Sequence, residues 1–278
     1  MMLGVRAHDF GRFPAGELAG KIARPGLTCV QLALSKAIAG LDLAPGMLNP
    51  GLAFHIGQAF HRHNLQIAVL GCYINPIHPD PKTRHALLGL FKEHLRYARD
   101  FGCGLVALET GSVNADYSFH PDNHGARAFQ QLLESLGELV AEAEKFGVLV
   151  GIEGVTRHVV STPAKMKTVL DTIQSNHLQV VFDPVNLLSV DNCQDPDRVI
   201  QESFDLFGGR VAIIHAKDFV LQNGEIISRP AGQGCLDYRL LLKTLKAGKP
   251  CINVLLEEAG EGVIDDCLKH IESVYAAA

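Results

Sequence analysis

The sequence predicts an α/β fold, a (β/α)₈ TIM barrel, from three observations. Eight short apolar runs rich in β-branched residues recur at intervals of roughly 30 residues, and each ends in or beside a polar residue. A helical pattern follows each run. The runs are continuously hydrophobic, as is typical of parallel strands covered by helices. A doubly wound open sheet is the alternative, but eight units without a glycine-rich strand-to-helix turn favour the barrel.

The predicted strands are these apolar runs. They cover residues 3–8, 27–32, 65–71, 104–109, 148–153, 178–183, 210–215 and 251–257. No low-complexity segment, charge run or proline-rich linker divides them. Because α/β barrels often use a chain of this length as one unit, we expect a single domain over residues 1–278.

Helices are predicted between the strands from apolar residues at helical spacing and from start and stop signals. The clearest segments are 81–101, 126–145, 162–174, 195–207, 237–246 and 263–275. Thr162–Pro163 and Asp195–Pro196 each pair an N-cap residue with a proline at the first helical position. Weaker patterns predict helices near 15–24 and 51–63, and residues 35–50 are predicted to form a loop.

Composition and charge restrict the classes of function. The chain has 25 lysines and arginines against 30 aspartates and glutamates, a net charge of −5 that argues against a broad nucleic-acid-binding surface. It contains neither an apolar run of membrane-spanning length nor a signal-peptide pattern. The seven cysteines are scattered without a C-x-x-C pair, which indicates free thiols. We therefore expect a soluble, cytoplasmic protein that binds neither nucleic acid nor membranes.

Polar side chains end six of the predicted strands. They are His8, Glu109, Glu153, Asp183, His215 and Glu257. In a barrel these strand ends meet at the face that carries catalytic residues. The last four would bring three carboxylates and an imidazole together, and the carboxylates would repel one another unless a cation lay among them. This donor set suits one divalent ion, Mn²⁺ or Mg²⁺ first, with Co²⁺ and Zn²⁺ as alternatives. The competing interpretation is four unrelated residues at a solvated rim.

Five motifs in the second half of the chain carry a resemblance to a known family. They are GIEG (151–154), VVFDPVN (180–186), IHAKDF (214–219), PAGQG–LDY (230–238) and NVLLEE (253–258). In order and spacing these motifs resemble the sugar phosphate isomerase/epimerase family of xylose isomerase-like TIM barrels. The resemblance implies that Glu153, Asp183, His215 and Glu257 bind one divalent metal. It also implies that Glu153 and Glu257 are the catalytic acid–base pair, and that the protein is a homodimer or homotetramer.

The function implied is metal-dependent isomerisation or epimerisation of a sugar, sugar phosphate or related polyol. Inverting a carbon beside a carbonyl requires removal of a proton and its return from the opposite face, which two bases across the substrate can perform. A metal would polarise the carbonyl and stabilise the resulting enediolate. We expect the small-molecule sugar substrate to be bound by Asn186, Lys217, His8 and Glu109.

Some positions depart from the family pattern. Many relatives carry histidine where this chain has Asn186, and Leu221 stands where ketose 3-epimerases place an arginine. Lys217 has an alternative role in a salt bridge with a neighbouring loop. Two other functions therefore remain open: an inosose-dehydratase-like lyase and a non-catalytic carbohydrate-binding relative. Apurinic-site endonuclease activity is disfavoured because the segment EIISRPAG (225–232), predicted to be a loop, lacks an Asp-x-His pair.

Overall fold

Eight parallel strands close into a barrel in the computed structural model, which describes residues 1–41 and 43–278. The strands are β1 (Met2–Arg6), β2 (Leu27–Leu32), β3 (Gln66–Gly71), β4 (Leu105–Glu109), β5 (Leu149–Glu153), β6 (Leu178–Phe182), β7 (Val211–Ala216), β8 (Asp218–Gln222), β9 (Glu225–Arg229) and β10 (Asn253–Leu256). Strands β1 to β7 pair in sequence order, and β10 closes the barrel between β7 and β1. The predicted (β/α)₈ barrel and its eight strands are confirmed. That residues 1–278 form one domain stays a prediction.

Helices lie between the barrel strands. They are α1 (Ala15–Ile22), α2 (Leu34–Ala37), α3 (Pro50–His61), α4 (Pro81–Tyr97), α5 (Ala126–Phe146), α6 (Pro163–Ile173), α7 (Pro196–Phe207), α8 (Arg239–Gly248) and α9 (Ile264–Ala277). All predicted helices are present, while the single-turn helix α2 corrects part of the loop predicted over 35–50. Within the described residues, no helix combines the length and apolar character needed to span a membrane.

Four of these helices begin with the same local device. A side-chain oxygen accepts a hydrogen bond from the backbone N–H three residues later, and a proline follows as the first helical residue. The capping residues are Asn49, Asp80, Thr162 and Asp195. The cap satisfies an N–H that the helix leaves free, and proline has no N–H to satisfy. The caps predicted at Thr162 and Asp195 are therefore confirmed.

Alternation along the strands decides which residues point into the barrel. The interior is filled by Cys29, Ala68, Val69, Leu105, Ala107, Val181, Ile213 and Leu255. Apart from β3, where Ala68 and Val69 both face the interior beside a register shift against β2, successive residues of a strand face opposite sides, so the residue two positions after an interior one points inward again. At the C-terminal strand ends these inward positions hold Gln31, Glu109, Asp183, His215 and Glu257. A dry interior is thus capped by one polar layer.

The hairpin β8–β9 was not predicted. Its two strands pair only with each other among the described residues, and they project from the loop after β7. Asn223 and Gly224 form the turn with φ of 54° and 77°. Asn-Gly is the strongest short-range signal for such a turn. The sequence therefore contained the information that residues 225–229 of EIISRPAG form a hairpin strand, which corrects the loop predicted there.

Candidate metal centre

The four predicted metal ligands converge at the C-terminal end of the barrel. Glu153 ends β5, Asp183 directly follows β6, His215 lies on β7 and Glu257 directly follows β10. One ligand atom from each residue lies within 4.8 Å of the others, and all four side chains are buried. They are therefore neighbours rather than separate rim residues, and the cluster could hold a metal ion.

His215 stands between the two glutamates. Its Nδ1 lies 3.1 Å from Glu153 Oε1 and 3.2 Å from Glu257 Oε1. Burial lowers the pKa of His215, but the Glu153 and Glu257 carboxylates together have the larger, opposite effect and raise it above its usual value, to about 9. The imidazole is therefore charged without a metal, and a metal would replace the proton on Nδ1.

Asp183 presents one carboxylate oxygen to the cluster, and its other oxygen accepts hydrogen bonds from the backbone of the following turn. Its Oδ1 accepts hydrogen bonds from the backbone N–H of Val185 (2.9 Å) and of Asn186 (3.3 Å). Its Oδ2 is buried without a hydrogen bond and makes only an ionic contact of 2.8 Å with Lys217 Nζ. Burial raises the pKa of Asp183 to about 6, against the opposing effect of Lys217. A fixed, buried oxygen with spare lone pairs fits a metal ligand.

Lys217 lies inside the cluster rather than against a neighbouring loop. Its Nζ donates a hydrogen bond to Glu257 Oε2 (2.9 Å) and contacts Asp183 Oδ2. Burial lowers the pKa of Lys217, but these two carboxylates raise it well above its usual value. The ammonium therefore stays charged and, together with the charged His215, compensates the buried carboxylates.

The other predicted substrate-binding residues line the same cavity of about 130 Å³. Asn186 Nδ2 donates a hydrogen bond of 2.7 Å to Glu153 Oε1. Glu109 lies opposite Glu153 in the sheet, and its Oε2 is 3.2 Å from His158 Nδ1. Burial is the main cause that raises the pKa of Glu109 to about 7 and lowers that of His8 to about 4. His8 follows β1 in a short 3₁₀ turn instead of ending the strand as predicted.

The structure adds residues from the first two strands that the sequence interpretation missed. Arg6 ends β1, and its Nη1 lies 3.3 Å from Glu257 Oε2. Gln31 near the end of β2 contacts His215 through its Oε1, 2.6 Å from Nε2. Lys36 also lines the cavity. Inward alternation from Cys29 identifies Gln31 within the predicted strand 27–32, and the same rule from Gly4 identifies Arg6 once β1 ends at residue 6.

A family model described as xylose isomerase-like TIM barrel matches residues 20–274 of the chain. The chain belongs to the xylose isomerase-like TIM barrel family. This confirms the resemblance seen in the five motifs. A comparison with curated protein sequences finds no match.

Solved structures similar to this xylose isomerase-like barrel cover nearly the whole chain. A D-tagatose 3-epimerase-like protein has a TM-score of 0.78 and 16% identity, over 100% of this chain and 98% of its own. The IolI protein with a bound zinc atom has a TM-score of 0.71 and 16% identity, over 100% of this chain and 99% of its own. A D-psicose 3-epimerase solved with D-fructose has a TM-score of 0.71 and 14% identity, over 99% of this chain and 97% of its own. At these identities the similarity shows the fold.

Gln31 orients His215, the candidate histidine ligand of this xylose isomerase-like barrel. Its amide nitrogen donates to the Tyr73 hydroxyl, so its oxygen is left to accept a hydrogen bond from His215 Nε2. That bond keeps the proton on Nε2 and directs Nδ1 towards the carboxylates. We expect Gln31→Leu to weaken Mn²⁺ binding by about 10–100-fold, the usual cost of losing such a partner. Isothermal titration calorimetry measures the loss; exposed Gln130→Leu is the control, and equal affinities would contradict the role.

Lys217 should stabilise the metal-free barrel. Removing one partner of a buried ion pair leaves an uncompensated charge, which costs about 3–5 kcal/mol. Lys217→Met is therefore expected to lower the free energy of unfolding by that amount in a chelator, and added Mn²⁺ should recover most of the loss. Urea denaturation measures both values, with exposed Lys243→Met as the control. Equal unfolding free energies for the two variants in chelator would show that Asp183 and Glu257 do not depend on Lys217.

Proposed function

We propose that this protein is a divalent-metal-dependent isomerase or epimerase of a sugar, sugar phosphate or related polyol. One observation carries the proposal. Glu153 and Glu257 approach the same imidazole nitrogen from β5 and β10, inside a buried ligand cluster at the C-terminal end of a closed barrel. Two carboxylates at one buried point can serve both a metal and a proton transfer.

The residues proposed to hold the metal are Glu153, Asp183, His215 and Glu257. When bound, the metal would polarise the substrate carbonyl and stabilise negative charge that develops on its oxygen. The donor set of three carboxylates and one imidazole favours Mn²⁺ or Mg²⁺, and Zn²⁺, present in the IolI structure, or Co²⁺ also suits it.

Proton movement is assigned to the two glutamates. Burial raises the pKa of Glu257, but Lys217, His215 and Arg6 together lower it well below its usual value. Glu257 is therefore ionised and can accept a proton from the carbon beside the carbonyl. Asn186 holds Glu153 Oε1, which leaves Oε2 to deliver a proton from the other side of the substrate. Lys217, His8 and Glu109 are proposed to contact substrate oxygens around this point.

Dehydration, as in an inosose-dehydratase-like lyase, is the second candidate because of Glu109. This third carboxyl group lines the cavity beside Glu153, and its pKa of about 7 leaves much of it protonated at neutral pH. A protonated carboxyl can donate to a departing hydroxyl group, which is the acid that elimination of water requires.

Solvent-deuterium incorporation tests the proposal. The Mn²⁺-loaded protein is incubated in D₂O with D-fructose, D-psicose and D-tagatose, and the products are followed by NMR and mass spectrometry. We expect deuterium on the carbon beside the carbonyl together with a new isomer or epimer, and neither after chelation. Loss of one water would support the lyase instead. Sugar binding without deuterium incorporation would contradict both and indicate a non-catalytic carbohydrate-binding relative.

A further inference from the structure

A groove of about 440 Å³ adjoins the metal cavity. The hairpin β8–β9 forms one wall, and the loops after β5 and β6 form the other. Side chains that line it include Thr156, Arg157, Asn186, Ser189, Ile226 and Ser228. The hairpin lies outside the eight strand–helix units, so this wall is an addition to the barrel.

The groove shares part of its wall with the metal cavity. Val155 and Asn186 line both spaces. Asn186 spans the junction, because its side chain donates to Glu153 in the cavity while its main-chain oxygen accepts a hydrogen bond of 2.8 Å from Thr156 N–H in the groove. Asn186 therefore lies between the two spaces, and a ligand with one end at Glu153 that passes over Asn186 would reach the hairpin.

The volumes indicate a ligand that needs both spaces. The metal cavity of about 130 Å³ is smaller than the about 300–1,000 Å³ usual for small-molecule sites. The groove is several times larger and lies directly beside it. A substrate confined to the metal cavity would leave the larger of the two spaces unused.

The chemistry of the groove suits an uncharged sugar ring. Alternation along β9 directs Ile226 and Ser228 to the groove and Ile227 to the opposite side. Ile226 and Val155 offer apolar contacts to the C–H face of a ring, and the serine hydroxyls offer hydrogen bonds to its edge. Arg157 and Glu225 line the groove and form no ion pair within residues 1–41 and 43–278. One cation and one anion give the groove no net charge that would favour a phosphate, whereas ring hydroxyls can both donate to Glu225 and accept from Arg157.

We propose that the groove binds the second sugar ring of a ketose glycoside, so that a ketose carrying a glycosyl group is the preferred substrate and a free ketose, which leaves the groove empty, binds more weakly. This rests on the proposed function only in placing the ketose end beside the metal. The hairpin then determines substrate size, and the barrel end determines the chemistry.

Calorimetry on the Mn²⁺-loaded protein tests this with isomaltulose and lactulose, two ketose disaccharides, against D-fructose and D-fructose 6-phosphate. We expect at least one disaccharide to bind about tenfold more tightly than D-fructose, or about 1.4 kcal/mol. Ser228→Trp, which fills the groove, should abolish that gain and leave D-fructose binding unchanged. Ile227→Trp, its matched control on the opposite face of β9, should retain the gain.

Several results would overturn the proposal. They are disaccharides that bind no more tightly than D-fructose, a gain that survives Ser228→Trp, and D-fructose 6-phosphate as the tightest ligand. These outcomes are separable from failure of the proposed function, which deuterium incorporation reports. Preferential disaccharide binding without deuterium incorporation keeps the groove and rejects the isomerase, whereas deuterium incorporation into D-fructose without a disaccharide preference does the reverse.

Discussion

Replacing Glu257 by glutamine is expected to slow deuterium incorporation into the substrate by about 10²–10⁴-fold, the usual contribution of a positioned acid or base. Glutamine keeps the shape and one oxygen but cannot accept a proton from carbon. Glu257 is buried among His215, Lys217 and Arg6, and it lines the cavity in which the substrate is proposed to bind. The measurement is the initial rate of deuterium uptake in D₂O, with metal binding measured in parallel.

Glu258→Gln is the matched control for this prediction. The Glu258 side chain is exposed and pairs with Arg6 at 3.0 Å on the outside of the cavity. A surface change of this kind stays within about 0.5 kcal/mol, so the rate should change by about twofold or less. Equal losses in the two variants would show that the choice between the adjacent glutamates is wrong.

Glu153→Gln sharpens the same test. If the two glutamates act from opposite faces, each glutamine variant keeps one base. It should still incorporate deuterium into the epimer whose proton faces that base, but it should no longer convert one epimer into the other. If only one glutamate acts as the base, the variant that lacks it should lose all deuterium exchange and the other variant should lose none. The separate epimers of an accepted sugar therefore distinguish a two-base from a one-base reaction.

Asp183→Ala is expected to weaken Mn²⁺ binding by more than about 100-fold, since losing an outer partner alone costs about 10–100-fold. The variant removes the buried Oδ2 that no hydrogen bond satisfies. Calorimetry on chelator-treated protein gives the affinity, and circular dichroism checks the fold. Exposed Asp266→Ala is the control.

Asp183→Asn separates metal binding from local structure. Asparagine keeps an oxygen for the N–H groups of Val185 and Asn186, so the turn after β6 should persist. Loss of metal affinity in both variants with a retained fold would support a direct ligand. Wild-type affinity in Asp183→Ala would contradict the four-residue metal site.

Much of the barrel and of the candidate site was predictable because both depend on the spacing of apolar and polar residues along single strands. Continuous apolar runs define the strands, and a polar residue two positions past an interior one marks the C-terminal layer. This holds for Asp183 after Val181 and for Glu257 after Leu255. The same logic failed at β1, where the strand was extended to His8 and Arg6 was overlooked. The hairpin after Lys217 was also missed, because the Asn223–Gly224 turn signal was overlooked.

The sequence by itself determined the eight barrel strands, the helix caps at Thr162 and Asp195 and the set of four potential ligands, because each is identified from residues a few positions apart. Only the tertiary structure decided which partners those ligands meet. Gln31 reaches His215 across 184 positions, and Lys217 reaches Glu257 across 40. Such contacts depend on barrel closure and register, which bring distant strand ends together and leave no trace in local spacing. The groove beside the hairpin has the same origin, since its two walls share no local sequence pattern.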